Sequence, residues 1–552
     1  MCVKSPGVFG MVLLASVTCL ADVSAERLKL PAAGACKVVT VDPKGKDRVA
    51  VGFDVPIVDI QQLWLPDMRR PQQDRKWRIA YESAPQRGMP YLAFFNQNER
   101  NRFSLGSESL EWDTRIASRL NQARGVYEVE LTVAAGSGDA LRPFKVTIDR
   151  RDVPWTEALA DWRSSLAYGK GAYPEGAWSP VYCTWYAAHA TFDQAWTERT
   201  AEIAADLGFK TFILDDGWSY DDYKRDCPET IPTWYQDVGR WDSFSKRKFP
   251  DVRVHRERMR KLGLKYLVWV GPFMIGTRTE GFRRWGFDKD PNAKPLEGNV
   301  FTDITNKEMM ESVTRQLETL MRDNDLDGLK LDYISYIDPS VDKPRGGATR
   351  AYLEDLMGRL RKIRPDALFE FCQGYATPYT ASLATQFRSG DVPFEWLPNL
   401  LNLAQIRLAM GDGVPIHSDP MYWADGETDD NIDRHFMAAM AGVPMLSMDL
   451  ARMPETRRTT IRRWIAYYTD RIERFHRSGH WNVFFRNGGL SYVTSTLGEE
   501  VFVIAVDAAA APFIRPVVAG KRAVVFNLGF EPLDLGNGLV VGAAAAYPAV
   551  GK

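Results

Sequence analysis

Short alternations of apolar and polar residues dominate the first part of the chain. VVTVDP, RVAVGFDV, QLWLP, RIAYESA, PYLAFFNQ and YEVELTVAAG are of this kind or wholly apolar, and Pro, Gly, Asn or Asp separates one from the next. PFKVTIDRRDV continues the series. Period-two runs bounded by turn residues predict strands, and this many in succession predict a β-sandwich over residues 26–170. After GAYPEGAWSP the rhythm changes. Strand-like runs at 181–186, 211–217, 265–273, 328–334, 367–374, 386–392, 414–420 and 444–450 now alternate with helical segments of 3.6-residue period. Among the helices are DQAWTERTAEIAADLG, KEMMESVTRQLETLMRD and TRAYLEDLMGRLRKIR, several of the segments ending at Gly as a helix C-terminus does. The sixth strand, QFRSGDV, is the poorest. Eight strand–helix alternations predict an α/β domain built as a (β/α)8 TIM barrel over residues 171–480. From Trp481 the runs NVFFRN, LSYVTST, EEVFVIAVD and RAVVFNLG predict a small C-terminal antiparallel β-domain, 481–552.

Composition narrows the classes. The chain has 552 residues, with 70 Lys and Arg against 71 Asp and Glu, so no basic field invites nucleic acid or an anionic membrane surface. Seventeen Trp suit a protein that stacks flat apolar faces such as sugar rings, although most serve the core. Lys4, the apolar run from Val8 to Ala21 and the small residues Val23-Ser24-Ala25 predict a secretory signal peptide over residues 1–25 and export to the periplasm or medium. Ser16-Val17-Thr18-Cys19 makes a poor lipobox. No later segment is apolar enough for a membrane span. The remaining cysteines, Cys36, Cys183, Cys227 and Cys372, form no CxxC pair, and the six His show neither HxH nor HExxH. Neither a disulfide framework nor a metal site is expected, and no cofactor is required.

The C-terminal ends of barrel strands form the active rim. Reading only those ends collects Trp185, Asp215 and Asp216, Lys330 and Asp332, Cys372, Arg388 and Asp391, His417 and Asp419, and Asp449. Six aspartates on one rim exceed what helix capping explains. In GLKLDYISYID, Lys330 and Asp332 lie two apart on a strand and so point the same way, as a buried ion pair or as the floor of a site. A nearby cation favours an ionised Asp332. Converging carboxylates without metal-binding His suit glycoside hydrolysis, which needs one carboxyl as acid and another as nucleophile or base. His417 reads as structural, Asp419 as either, and Asp449 stays outside the catalytic set. Trp218, Trp269 and Trp396 read as wall residues or, more often, as core. The long connection 219–251 reads as a binding loop that carries Trp241 into the pocket.

ILDDGW at 213–218, KLD at 330–332 and RSGDVPFEW at 388–396 resemble the α-galactosidase (melibiase) clan of retaining glycoside hydrolases, closest to its family 36 and 27 members. The resemblance covers about residues 175–480 and extends to CTWY, the GRW of 239–241, the CQG of 372–374 and the HSDP of 417–420. It implies Asp332 as nucleophile and Asp391 as general acid/base. It also implies Asp215 and Asp216 on the sugar 4- and 6-hydroxyls, Lys330 on the 3- and 4-hydroxyls, and Arg388 at the 2- and 3-hydroxyls. Trp185 and Trp241 match aromatic walls, and Cys372 and Gly374 match the 2-hydroxyl side. One departure stands out: Gln373-Gly374-Tyr375 replaces the glycine run of long-form relatives. The implied substrate is an oligosaccharide or polysaccharide with a terminal α-linked sugar, most simply an α-galactoside. α-N-Acetylgalactosaminidase, β-L-arabinopyranosidase, galactosyl transglycosidase and an inactive carbohydrate-binding barrel are the alternatives.

Overall fold

PYLAFFNQ explains how the chain's layers meet. In the computed structural model, which describes residues 25–66, 73–74, 76–136, 139–372, 375–388 and 390–548, Tyr91–Phe95 is buried on both faces. Leu92 and Phe94 point into the core of a β-sandwich, with Phe53, Phe103, Leu105, Ile116, Val129 and Ile148. Tyr91, Ala93 and Phe95 point the other way, onto Trp155 and Trp162 of the helix Trp155–Ser164 and into the main core. A strand covered on both sides has no polar alternation to show. The sandwich comprises a five-stranded sheet around Arg48–Pro56 and Val126–Ala134 and a six-stranded sheet around Asn101–Ser107 and Phe144–Asp149. Gly106 is where the helix comes closest: a Cβ there would stand 2.3 Å from the Trp162 indole. The signal segment 1–25 lies outside the described residues, Ala25 excepted.

The eight predicted barrel strands all form, shorter than their apolar runs. They are β1 (Val181–Cys183), β2 (Thr211–Leu214), β3 (Lys265–Val270), β4 (Gly328–Leu331), β5 (Leu368–Phe371), β6 (Gln386–Arg388), β7 (Ile416–His417) and β8 (Met445–Leu446). Neighbours pair in parallel from β8 through β1 and round to β7. A parallel bridge between His417 and Val443, with Val443 N–H donating to Ile416 O at 2.7 Å, closes the ring. The sixth strand reads poorly because its inward positions are polar: Gln386 and Arg388 are buried beside Glu370 and His417. Gly328 opens β4 where a Cβ would meet the Leu368 carbonyl oxygen at 1.8 Å, so only glycine fits between β4 and β5.

KEMMESVTRQLETLMRD forms the helix Lys307–Asp323, and Asn306 accepts the Met309 N–H at its start. The helix Gly346–Ile363 is capped from a distance. Asp113 of the sandwich accepts the N–H groups of Arg345 at 2.8 Å and Gly346 at 2.5 Å, pinning the segment that follows β4. The C-terminal sheet runs from His480–Arg486 to Ala545–Tyr547 and is antiparallel in every pair but one. Glu500–Ala505 and Arg522–Asn527 pair in parallel, because the helix Ala511–Val518 carries the chain back to the same end of the sheet. Among the described residues no helix is long and apolar enough to cross a membrane.

Candidate active site

Lys330 and Asp332 do share the inner face of the barrel, but they are not each other's partner. Lys330 Nζ donates to Asp215 Oδ2 at 2.6 Å, and both side chains are buried. Cys183 Sγ donates to the same oxygen at 3.2 Å, and the Asp216 N–H donates to Asp215 Oδ1 at 2.9 Å. Burial works to raise the Asp215 pKa, yet the charge and hydrogen bond of Lys330 outweigh it, and the net shift is downward. Burial likewise opposes the Lys330 charge, and Asp215 more than restores it. This pair is a fixed, fully charged floor.

Among the described residues Asp332 is held by two donors, one per oxygen. Trp269 Nε1 donates to Oδ2 at 3.0 Å and the Tyr333 N–H to Oδ1 at 2.7 Å. Tyr333 itself adopts φ +60°, the left-handed region, directly after the carboxylate. Such a conformation costs a bulky residue on the order of 1 kcal/mol or more, and it persists where surrounding contacts over-determine it. Here the Tyr333 hydroxyl donates to Tyr235 OH at 2.9 Å. Burial raises the Asp332 pKa above the usual carboxylate value, against the pull of Lys330, Arg388 and the Trp269 hydrogen bond. The sequence argument weighed the neighbouring cation and not the burial, which here is the larger effect.

Arg388 organises the opposite side. Its Nη1 reaches Asp391 Oδ1 at 3.1 Å and also pairs with Asp419 Oδ1, while Nη2 donates to Cys372 Sγ at 2.8 Å. The guanidinium is buried, whereas the Asp391 side chain is 37% exposed and stands at the opening. Asp419 fixes the loop that carries it. Asp419 Oδ2 accepts the Val392 N–H at 2.8 Å and the Tyr186 hydroxyl at 2.8 Å, and Asn399 brackets its backbone from both sides. His417, buried, donates its Nε2–H to Ala177 O at 2.8 Å.

The remaining predicted residues divide. Asp216 Oδ2 accepts from Trp234 Nε1 at 2.7 Å and Tyr220 OH at 3.0 Å, and burial raises its pKa. Trp185 is nearly buried, edge-on to Trp234 with ring centroids 6.1 Å apart. Trp241 is only 1% exposed and packs between Trp218 and Trp269, so it stands behind the indole that holds Asp332. Trp241→Ala is therefore expected to cost about 3–5 kcal/mol of stability, read by denaturant titration. Tyr375 is buried too: its hydroxyl accepts the Cys372 N–H at 2.9 Å and donates to Leu331 O, tying β4 to β5. Gly374 lies outside the described residues. Sequence reading gave Trp269 as wall or core and missed Tyr220, Trp234, Tyr235 and Tyr186. Trp269 sits near the end of β3, where rim position was the available signal; the loop 219–251 supplies three of the others.

Asp419 offers a pH test. Burial pushes its pKa up to about 7, against Arg388. Between an unfolded value of roughly 4 and about 7, the folded chain keeps a proton that the unfolded chain has lost. This group's contribution to stability is therefore full below pH ~4 and falls as pH rises through that window. Asp419→Asn cannot titrate, so its Tm is expected to fall less than wild type between those limits in a pH series of thermal melts.

Residues 170–385 match the family model for melibiase, which bears out the resemblance read from the motifs. Curated relatives include AgaA of Geobacillus stearothermophilus, an α-galactosidase 22% identical over 335 residues, 56% of this chain and 43% of that one. Another is α-galactosidase 1 of Pediococcus pentosaceus, 25% identical over 219 residues, 37% of this chain and 28% of that one. The matched stretch thus spans less than half the length of these relatives. Among solved structures, the same Geobacillus enzyme superposes with TM-score 0.64 at 17% identity, over 83% of this chain and 69% of that one. The α-galactosidase of Thermus thermophilus, bound to p-nitrophenyl α-D-galactopyranoside, gives 0.57 at 17% identity, over 86% of this chain and 98% of that one. At such identities the likeness is one of fold.

Proposed function

We propose that this melibiase-type barrel is a retaining glycoside hydrolase acting on terminal α-galactosides. The observation that carries the reading is the division of labour between two carboxylates on one rim. Asp332 is buried and held rigidly by Trp269 and the Tyr333 N–H, as a nucleophile must be to meet an anomeric carbon. Asp391 is partly exposed and, among the described residues, held only by Arg388, where it can reach both a leaving oxygen and solvent. In the first step Asp332 attacks the anomeric carbon while Asp391 gives its proton to the departing oxygen. In the second, Asp391 takes a proton from water, and that water's oxygen displaces Asp332 from the sugar.

The other groups bind the sugar. Asp215, Asp216 and Lys330 offer charged partners to hydroxyls at the floor, where desolvation strengthens each hydrogen bond. Cys372 lies against Arg388, and burial keeps its thiol protonated, its pKa well above the ordinary value. Export of the mature chain belongs to the same proposal and rests on residues 1–25. Time-resolved proton NMR of an aryl α-galactoside tests the chemistry: α-galactose appearing first supports double displacement. A β-anomer first, or no release of galactose at all, would sink it.

A further inference from the structure

Three aromatic side chains form a chain of contacts leading outward from the Asp391 loop. Phe394, three residues beyond Asp391, is 56% exposed, and its ring meets Tyr422 at 5.1 Å between centroids in a T-shaped contact. Tyr422 meets Tyr186 at 6.0 Å. The backbone fastens them to the same loop: Tyr422 N–H donates to Pro393 O at 3.2 Å, and Tyr186 OH and Val392 N–H both donate to Asp419 Oδ2. Phe394 is exposed while Tyr422 and Tyr186 are half-buried behind it, so the exposed ring is the tip of a backed aromatic row beside a candidate acid and not an isolated apolar residue. Phe530, more exposed still, lies away from the Asp391 loop and meets the Arg434 guanidinium 4.3 Å from its ring centroid.

We propose that Phe394, Tyr422 and Tyr186 form a platform that receives the leaving group of the substrate, a pyranose lying on the rings by its apolar face. The inference rests on Asp391 as the acid. That acid must hydrogen-bond the glycosidic oxygen, so whatever is attached to the oxygen lies just beyond Asp391. A second aromatic group, Tyr336 packed on Tyr333 at 4.6 Å and on Phe301 at 5.6 Å, follows the nucleophile strand instead. The leaving group departs on the face opposite the nucleophile, so that group is the wrong side for it. Microscopic reversibility gives the platform a second use: after the first step it is where a sugar acceptor would sit in competition with water.

The test compares two substrates with the same galactosyl group. One is an α-(1→6)-linked galactosyl disaccharide, which has a pyranose leaving group; the other is α-galactosyl fluoride, which has no ring to place. Phe394→Ala is expected to lower kcat/KM for the disaccharide about tenfold while leaving the fluoride within about twofold, and Phe394→Tyr to restore the disaccharide. The ratio of transfer to hydrolysis with added sugar acceptor falls in the same variant. Equal losses on both substrates, no loss on either, or a change in oligomeric state on light scattering would overturn the platform. So would a disaccharide-selective loss in Tyr336→Ala and not in Phe394→Ala. Wild-type protein that leaves the fluoride intact would instead sink the hydrolase reading on which the platform rests.

Discussion

Asp332→Gly is expected to lose turnover of aryl α-galactosides by on the order of 10⁴-fold, with the fold intact. Removing the nucleophile deletes the covalent route and leaves only binding and the acid. It also creates room for a small anion. Added azide is therefore expected to restore release of the aglycone. The azide nitrogen bonds to the anomeric carbon from the vacated side as the bond to the leaving oxygen breaks and Asp391 protonates it. The product is β-galactosyl azide, inverted because a single displacement has replaced two. Asp332→Asn is the harsher probe of geometry. Trp269 Nε1 and the Tyr333 N–H both donate to Asp332, so one of them must face the amide Nδ2, itself a donor. An unmade buried hydrogen bond of that kind costs about 1–3 kcal/mol. Burial already penalises the charged carboxylate, its pKa being raised, so the neutral amide relieves a cost present above that pKa. Thermal stability of the variant at pH 7 is thus expected to change little while activity vanishes. Full activity in Asp332→Gly without azide would remove Asp332 from the chemistry.

Much of this architecture was readable because it rests on local periodicity. Strand–helix alternation predicted all eight barrel strands, including β6, whose inward Gln386 and Arg388 made it look poor. The rim rule gathered Asp215, Asp216, Lys330, Asp332, Arg388 and Asp391 because each lies at or just beyond the C-terminal end of a barrel strand, a place the strand pattern alone marks. What periodicity does not encode is which of those groups meet. Lys330 and Asp332 share a face, yet the ammonium crosses to Asp215, just past the end of β2 and 115 positions away in the chain. Trp269 looked like core and is both core and a donor to Asp332, a double role that only the partner's position reveals. Trp241, placed in the pocket by its loop, packs against Trp218 and Trp269, contacts its own segment does not encode. Long-range closure decides these cases, as it does for Asp113, which caps a barrel helix from the sandwich. The parallel pair in the C-terminal sheet belongs with them, since a strand's own pattern is the same whichever way its neighbour runs.

Asp391→Ala is expected to divide substrates by their leaving groups. For a disaccharide, whose leaving alkoxide needs a proton, kcat/KM is expected to fall by on the order of 10²–10⁴-fold, the usual yield of a placed general acid. For α-galactosyl fluoride, whose leaving group needs little help, the first step survives and the second slows, because no base activates water. The galactosyl–Asp332 ester then accumulates, visible as a burst of fluoride followed by a slow steady state and as added mass on the intact protein. Azide again accelerates release, but now it attacks that ester, so two inversions give α-galactosyl azide, opposite in configuration to the product from Asp332→Gly. This stereochemical contrast separates the two roles better than any loss of rate. Arg388 bears on it directly. Its Nη1 bridges Asp391 and Asp419, and Asp419 in turn holds the Val392 N–H, so a carboxylate lost at 391 leaves the arginine anchored and the loop in place. The defect is then chemical and not a collapse of the rim. Equal losses on the disaccharide and the fluoride, with no burst, would mean that Asp391 orients substrate and that the proton comes from elsewhere.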